Sequence, residues 1–145
     1  MPGGGSPAGG AITAARFSLT IDGVEMASFS ELGGITSEAG PYDLAGRVLT
    51  KLPGKRKPPT VTLRRGMTGD LQLSAWHQSV VEGQVAARKN ADLVMYDTAG
   101  APVAKYHLEA AWPSELSVAP LKAGSNEVLM ETVTLVCEKL ERLAP

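Results

Sequence analysis

The sequence predicts a mainly β protein: an antiparallel β-sandwich or partly open barrel of six to seven strands, with one lateral α-helix and one long arm. Three observations lead to this prediction. Beyond Arg16, apolar residues mostly alternate with polar ones, which is the period of half-buried strands. Short turns containing glycine or aspartate separate these runs, as in antiparallel sheets. Only the segment 70–82 repeats its apolar residues at helical spacing.

Residues 1–15 are rich in glycine, proline and alanine and are expected to form a flexible tail ahead of one domain, 16–143. The first strand is predicted to start at Arg16, because apolar and polar residues alternate from there to Ile21. Asp22-Gly23 then supplies a hairpin turn. Val24–Leu32 is predicted as the second strand, which Gly33-Gly34 ends.

The segment 35–59 is longer than ordinary loops and holds several glycines and prolines. It also contains apolar residues, which argue against plain disorder. We therefore expect an arm that something outside this domain completes.

After the arm, a short strand is predicted at Thr60–Arg65, followed by the helix Asp70–Glu82 with Thr68 as its N-cap and Gly83 as its end. The helix should lie on the sheet through Leu73, Trp76 and Val80. Three further strands are predicted at Ala91–Asp97, Val103–Trp112 and Glu127–Leu140. In the second of these, Tyr106, Leu108, Ala110 and Trp112 should point one way; in the last, Val133, Leu135 and Cys137 should point inward.

Composition excludes several classes of protein. The chain has 145 residues, enough for one domain with a hydrophobic core, and a formal net charge of -1 that favours no charged partner. One cysteine excludes an internal disulfide and fits a reducing compartment. The N-terminus has no signal-peptide pattern, and no apolar run is long enough to cross a membrane. A soluble protein made in a cytoplasm is expected.

The residues that could carry chemistry do not form a site in the sequence. His77 and His107 have no cysteine or histidine at ligand spacing, so neither a metal nor any other cofactor is expected. Cys137 lies within a predicted strand, where a buried structural thiol is expected. Gly54-Lys55 lacks the upstream glycine and the following helix of a phosphate-binding loop. The sequence therefore predicts no catalytic residues and no enzyme.

Charge is distributed unevenly along the chain. From Arg47 to Arg65 there are seven basic residues and no acidic one, whereas beyond Ala91 acids outnumber bases by eight to four. A nucleic-acid site and a plain solvated loop remain alternatives, although no aromatic residues interleave with the basic ones. The favoured interpretation is a contact between the basic arm and an acidic surface of another copy. A heterologous contact of this kind builds rings or filaments.

The segment Leu52–Gly66 reads LPGKRKPPTVTLRRG and resembles the signature of the tail tube proteins of contractile phages and extracellular contractile injection systems. Four further features agree: the first strand, the helix with Trp76, the turn Asp97–Gly100, and Trp112-Pro113 followed by Asn126–Leu140 with Glu131. The likeness extends from about Arg16 to Leu143.

This resemblance implies a structural inner-tube subunit of two packed antiparallel sheets, with six copies in each ring and rings stacked inside a sheath. It implies a lumen for cargo, a baseplate and spike at the tip, no membrane binding by the subunit, and assembly in a bacterial cytoplasm before release in a particle or virion. The arm is expected to supply the subunit interface, through Arg47, Val48, Leu49, Lys51, Leu52, Lys55, Arg56 and Lys57. Thr60, Thr62, Thr132 and Thr134 are candidates for the lumen face, and the sheath side remains the alternative.

Three alternatives stay open at this stage. A tube-initiator paralogue would join the tube to the baseplate, and the sequence does not separate it from the main tube subunit. A small β-barrel that binds a ligand would need convergent polar groups, which the strands do not offer. A hydrolase would need a catalytic motif, and none is found. Whether the machine is a phage tail or an injection system is also left open.

Overall fold

The computed structural model describes residues 10–38 and 57–145, and this part of the chain is mainly β, with eight strands and one α-helix. The strands and helices, in chain order, are β1 (Arg16–Ile21), β2 (Val24–Phe29), β3 (Glu31–Thr36), β4 (Thr60–Gly66), α1 (Gln72–Val81), a 3-10 turn (Val85–Ala87), β5 (Lys89–Tyr96), β6 (Pro102–Val118), β7 (Met130–Val136) and β8 (Lys139–Leu143). The predicted fold class is confirmed, with one strand more than the upper estimate.

Every strand pair is antiparallel, and the strands follow the order β2-β1-β5-β6-β7-β4-β3, with β8 also paired to β6. Strand β6 belongs to two sheets. Its first half lies between β5 and β8 in what we call the outer sheet (β2-β1-β5-β6-β8), and its second half pairs with β7 in what we call the threonine sheet (β3-β4-β7-β6). Among the described residues β2 and β3 do not pair, so the barrel stays open.

The apolar faces of the two sheets and of α1 form one core. Alternation places every second residue of a strand on the same face, and these are the positions that are buried. Its fully buried members include Leu19, Val61, Leu63, Leu93, Leu108, Val133, Leu135 and Cys137. The inward direction predicted for Val133, Leu135 and Cys137 is therefore confirmed.

The predicted hairpin turn at Asp22-Gly23 is present between β1 and β2. Both residues have positive φ, 54° for Asp22 and 78° for Gly23, as a two-residue turn requires when it matches the twist of the flanking strands. Ile21 pairs with Val24 directly before and after it.

The prediction of one strand over Val24–Leu32 is wrong. The chain leaves the outer sheet after Phe29, and the backbone N–H of Ser30 donates to the carbonyl of Arg64 (3.0 Å), which starts the separate strand β3. Gly33-Gly34 lies inside β3 instead of ending a strand. A Cβ on Gly33 would lie 2.9 Å from Cγ2 of Thr62, so glycine allows β3 to lie close against β4.

A bulge in β6 reverses its inward and outward faces. Ala110 has φ 51°, which is uncommon for a residue with a side chain, and its N–H donates to Oδ1 of Asn90 (3.0 Å). Beyond it Ala111 and Pro113 are buried, whereas Ala110 and Trp112 are not. The expectation that Ala110 and Trp112 share a face with Leu108 is therefore wrong.

Helix α1 lies within the predicted range and buries Leu73 and Trp76, and Val80 packs against the core. Thr68 is not the N-cap: its hydroxyl accepts from the N–H of Asp70, whose carboxylate accepts from the N–H of Gln72. These two consecutive turns occupy residues 68–72, so the helix begins only at Gln72 and Leu71 takes the N-cap position. Gly83 follows the helix with φ 76°, as a C-terminal glycine should.

The prediction of one closing strand over Glu127–Leu140 is also wrong. The N–H of Glu138 donates to the carbonyl of Glu109 (2.9 Å), and the chain passes there from β7 in the threonine sheet to β8 in the outer sheet. Because β6 crosses between sheets at the same level, its partner strand must bend with it.

Candidate assembly surface

Three of the four predicted lumen threonines lie in neighbouring positions on one face of the threonine sheet, and the fourth shares that face. Thr62 on β4 lies opposite Thr134 on β7, and their hydroxyl oxygens are 3.5 Å apart. Thr132 lies opposite Arg64, and Thr60 lies opposite Val136. All four threonines are half-buried. Val61, Leu63, Val133 and Leu135 alternate with them and face the core, so the threonines point away from it.

The same face carries few charges among the described residues. Strand β6 adds Glu115 beside Thr134 and Ser117 beside Thr132, and β3 adds Thr36 beside Thr60. Arg64, Glu115 and Glu31, which lies opposite Arg64 on β3, are its charged side chains among the described residues. Small hydroxyl side chains present hydrogen-bonding groups to water and little apolar surface. The face therefore suits a surface that a passing solute contacts without adhering.

The threonine sheet has two edges that no described strand covers. Strand β3 pairs only with β4, and the second half of β6, from Trp112 to Val118, pairs only with β7. Its four strands alternate in direction, so β3 and β6 run in opposite directions. A second copy rotated beside the first would thus bring β3 next to β6 in antiparallel orientation, and such pairing would satisfy the open edge groups.

Most of the predicted arm interface falls outside the described residues. Arg47, Val48, Leu49, Lys51, Leu52, Lys55 and Arg56 belong to residues 39–56, which the structure does not describe. Lys57 is described and is exposed. Pro59, two residues later, accepts from the N–H of Cys137 (3.1 Å), so the end of the arm joins the domain beside β7.

A buried ion pair closes one end of the core between the two sheets. Nε of Arg65 lies 3.0 Å from Oε1 of Glu131, and each side chain is only 8% exposed. The Arg65 guanidinium also lies over the ring of Phe29, 5.5 Å from its centre. We did not predict this pair, although Arg65 alternates in phase with Val61 and Leu63, and Glu131 with Val133 and Leu135. That phase is the signal that both charges point inward.

The remaining candidate groups for chemistry are separated from one another. Nδ1 of His107 lies 2.8 Å from Oδ1 of Asp92 on the outward face of the outer sheet, whereas His77 lies on α1. Cys137 is buried, and burial raises the pKa of its thiol to about 11. Within residues 10–38 and 57–145, no group of three or more His, Cys, Asp or Glu side chains could hold a metal ion.

No helix in the described part of the chain is both long enough and apolar enough to cross a lipid bilayer.

A family model described as T4-like virus tail tube protein gp19 matches residues 13–141, nearly the whole domain. No curated protein sequence matches the chain significantly.

Several solved structures share the fold of this chain. A chain in the six-fold symmetrised cryo-EM structure of the anti-feeding prophage baseplate is 20% identical, with a TM-score of 0.65 and 97% of both chains covered. A chain in the extended sheath-tube complex of the extracellular contractile injection system PVC is 24% identical, with a TM-score of 0.66 and 93% of both chains covered. Hcp1 from Flavobacterium johnsoniae is 16% identical, with a TM-score of 0.53, covering 89% of this chain and 95% of that one. At these identities the likeness shows a shared fold.

Proposed function

The chain belongs to the family of T4-like virus tail tube protein gp19, and on that basis we propose that it is the structural inner-tube subunit of a contractile injection system or phage tail. Six copies form a ring, and rings stack into a tube with a lumen for cargo. The role is one of assembly and containment and involves no catalysis by the subunit.

The observation that carries the proposal is the threonine sheet, whose two edge strands, β3 and the second half of β6, have no further partner among the described strands. Its four alternating strands let β3 of one copy pair with the second half of β6 of the next, and repetition around an axis removes every such edge. The threonine face then lies on one side of a continuous cylinder. We place Thr60, Thr62, Thr132 and Thr134 on the lumen side because small hydroxyl side chains give a channel wall little apolar surface to which a passing solute could adhere.

The outer sheet then faces away from the lumen, toward the sheath. Its outward face carries alternating charges, among them Arg16 paired with Glu25 and Asp92 beside His107. Similar chains occur in the baseplate structure and in the sheath-tube complex, which supports sheath and baseplate proteins as partners of this chain. Assembly in a bacterial cytoplasm, followed by release within a particle or virion, fits these partners.

The arm was predicted at 35–59, but Ile35 and Thr36 belong to β3, so the arm proper is the segment between Thr36 and Thr60. This segment is proposed to join each subunit to its neighbours. The described part of the chain supports this by the position of the arm: it leaves the open edge strand β3 and returns at Pro59, next to β7. An element that starts at an edge strand is placed to reach the next copy.

A position at the end of the tube is the second candidate. The similar chain in the anti-feeding prophage baseplate structure is covered over 97% of its length, so an initiator that joins tube to baseplate would share this fold.

Electron microscopy of the purified full-length protein tests the proposal. We expect six-membered rings or short tubes, and mixing with the sheath protein should yield sheathed tubes. An initiator would form single rings that do not extend. A protein that stays monomeric at the highest soluble concentration would contradict the tube function.

A further inference from the structure

The solvent-facing side of helix α1 carries no charged side chain between Gln72 and Val81. Leu71, Ala75, Gln78 and Val81 recur at spacings of three and four residues and so share one side of the helix, which we call the helix face. Leu71 is 72% exposed and Val81 is 63% exposed. The helix Gln72–Val81 contains no Asp, Glu, Lys or Arg, and the charge nearest to its C-terminal end is Glu82, whose Oε1 accepts from Nε2 of Gln78 (3.4 Å). A surface helix normally carries charged residues on its outer side, so this one has the composition of a side that another surface covers.

A groove of about 680 Å³ opens between the two sheets beside the edge strand β3. Its walls include Leu32 and Ile35 from β3 and Met95, Ala104 and Tyr106 from the outer sheet. Arg142 of β8 also lines it, as do Gly10, Ile12 and Ala14 from the segment that precedes β1. We call it the groove. Leu32, Ile35 and Tyr106 are only half-buried although they pack against the core. The groove therefore exposes apolar side chains where the open barrel fails to close.

The helix face and the groove lie at opposite ends of the outer sheet. Helix α1 packs near Met26 and Trp112, at the end of the sheet where β1 finishes and β5 begins. The groove contains the pair Met95 and Ala104, at the end where β5 finishes and β6 begins. Each also lies beside one open edge of the threonine sheet: α1 beside β6, and the groove beside β3. A rotation that joins β6 to β3 of the next copy thus carries the helix face toward that copy's groove.

We propose that the helix face of each copy packs into the groove of the next copy around the ring. The partner is a second copy of this chain, and the contact is heterologous, because two different surfaces of one protein meet. The inference rests on the proposed ring and adds a second layer to it: strand pairing joins the threonine sheets, and helix–groove packing joins the subunits outside them. It would cover the apolar surfaces that the single subunit leaves in water.

Two variants test the contact from its two sides. Ala75→Lys places a charge at the centre of the helix face, and Arg142, which lines the groove, would repel it. Ile35→Glu places a charge in the groove, with Tyr106→Lys as a second groove variant should Ile35→Glu unfold. Each should raise the concentration needed for ring formation about tenfold or more, because a buried charge without a partner is costly. Leu143→Glu is the matched control: Leu143 lies on the outward face opposite Lys105 and should leave rings unchanged.

An equal mixture of the helix variant and the groove variant gives the sharper result. The helix variant keeps an intact groove, and the groove variant keeps an intact helix face. One contact can therefore form between the two variants, and sedimentation should show a two-copy species that neither variant forms alone. If folded Ala75→Lys protein forms rings at the wild-type concentration, or the mixture stays monomeric, the helix–groove contact is wrong. If wild-type protein forms no rings, the proposed function itself fails.

Discussion

Arg65 and Glu131 lie directly opposite each other on β4 and β7 and form an ion pair at 3.0 Å inside the protein. Both belong to the inward phase of their strands, and the guanidinium packs over Phe29 from the outer sheet. The pair thus joins three strands from both sheets at the end of the core. A buried pair of this kind is costly to break from one side, because the remaining charge stays in a poorly solvated position.

We expect Glu131→Gln to lower the free energy of unfolding by about 3–5 kcal/mol. Replacing both residues with apolar ones of similar volume, Arg65→Met with Glu131→Leu, should restore most of that loss. Denaturant unfolding under conditions that keep the chain monomeric is the measurement. The matched control is Glu25→Gln, since Arg16 and Glu25 are about half exposed and such pairs contribute only about 0.2–1 kcal/mol. Equal effects at both positions would mean that burial of the Arg65 pair has no energetic consequence.

Trp76 fixes α1 to the core, because it is 4% exposed and its indole N–H donates to the carbonyl of Ala87. Trp76→Ala should lower the free energy of unfolding by about 3–5 kcal/mol. Trp76→Phe keeps most of the packing and loses the hydrogen bond, so about 1–3 kcal/mol is expected from the unsatisfied carbonyl. Thermal and denaturant unfolding of the two variants measure the difference. Identical losses would show that packing and the hydrogen bond do not contribute separately.

The lumen assignment can be tested by thiol labelling. A cysteine in place of Thr62 or Thr134 should react with both small and bulky maleimides in the monomer. In assembled tubes the bulky reagent should be excluded if the threonine face lines the lumen as proposed. Ser28→Cys on the outward face of the outer sheet should stay reactive toward both reagents in bare tubes. If the bulky reagent labels Thr134→Cys in intact tubes, the threonine face lies outside. A structure of the assembled ring in which the four threonines are buried in the subunit core would also refute the assignment.

Cys137 should be a slow nucleophile in the folded protein. Burial raises the pKa of its thiol to about 11 from an ordinary value of 9.0, so near pH 8 its thiolate is about a hundredfold rarer than in the unfolded chain. Reaction with a thiol reagent should accelerate strongly on unfolding. Because the buried thiol holds its proton up to a higher pH than the unfolded thiol, the free energy of unfolding should not change with this group below about pH 9 and should fall as the pH rises from 9 toward 11. The variant Cys137→Ala should lack that decline, and equal declines in both proteins would contradict the assignment.

The arm remains a prediction from the sequence. Leu52→Ala, or deletion of residues 42–56, should leave a folded monomer that no longer stacks. Burying one leucine contributes about 1.5–3 kcal/mol, whereas an exposed ion pair contributes about 0.2–1 kcal/mol and weakens with salt. Reversing Lys55, Arg56 and Lys57 to glutamate should slow assembly and reduce stacking most at low salt.

Sedimentation and electron microscopy measure the assembly of these arm variants, and circular dichroism confirms their fold. Long tubes from the deletion variant would mean that the arm does not contribute to stacking.

Sequence periodicity predicted the strands that obey one alternation and failed where a strand changes sheet. Val61–Leu63 and Val133–Leu135 were assigned to the correct face because each strand stays in one sheet. At Ala110 a single bulge reverses the alternation, and periodicity does not show where such a residue lies. The breaks at Ser30 and Glu138 depend on hydrogen bonds to Arg64 and Glu109, distant in sequence. Local propensity contains no information about such partners.

The candidate assembly surface was likewise predictable from the sequence only in part. Thr60, Thr62, Thr132 and Thr134 could be grouped from alternation within two strands, and the structure adds their register, with Thr62 opposite Thr134. The helix face and the groove could not be related to each other from sequence, because only the topology places them at opposite ends of one sheet.

Strand β6 runs without interruption from the outer sheet into the threonine sheet. A pull along the tube axis on one layer would therefore reach the other through covalent bonds of the main chain. The bent partner, β7 followed by β8, provides a second path of this kind. The two layers should then respond to mechanical load as one stiff body, and a tube built from such subunits could be driven forward from its rear without its inner wall shearing away from its outer one.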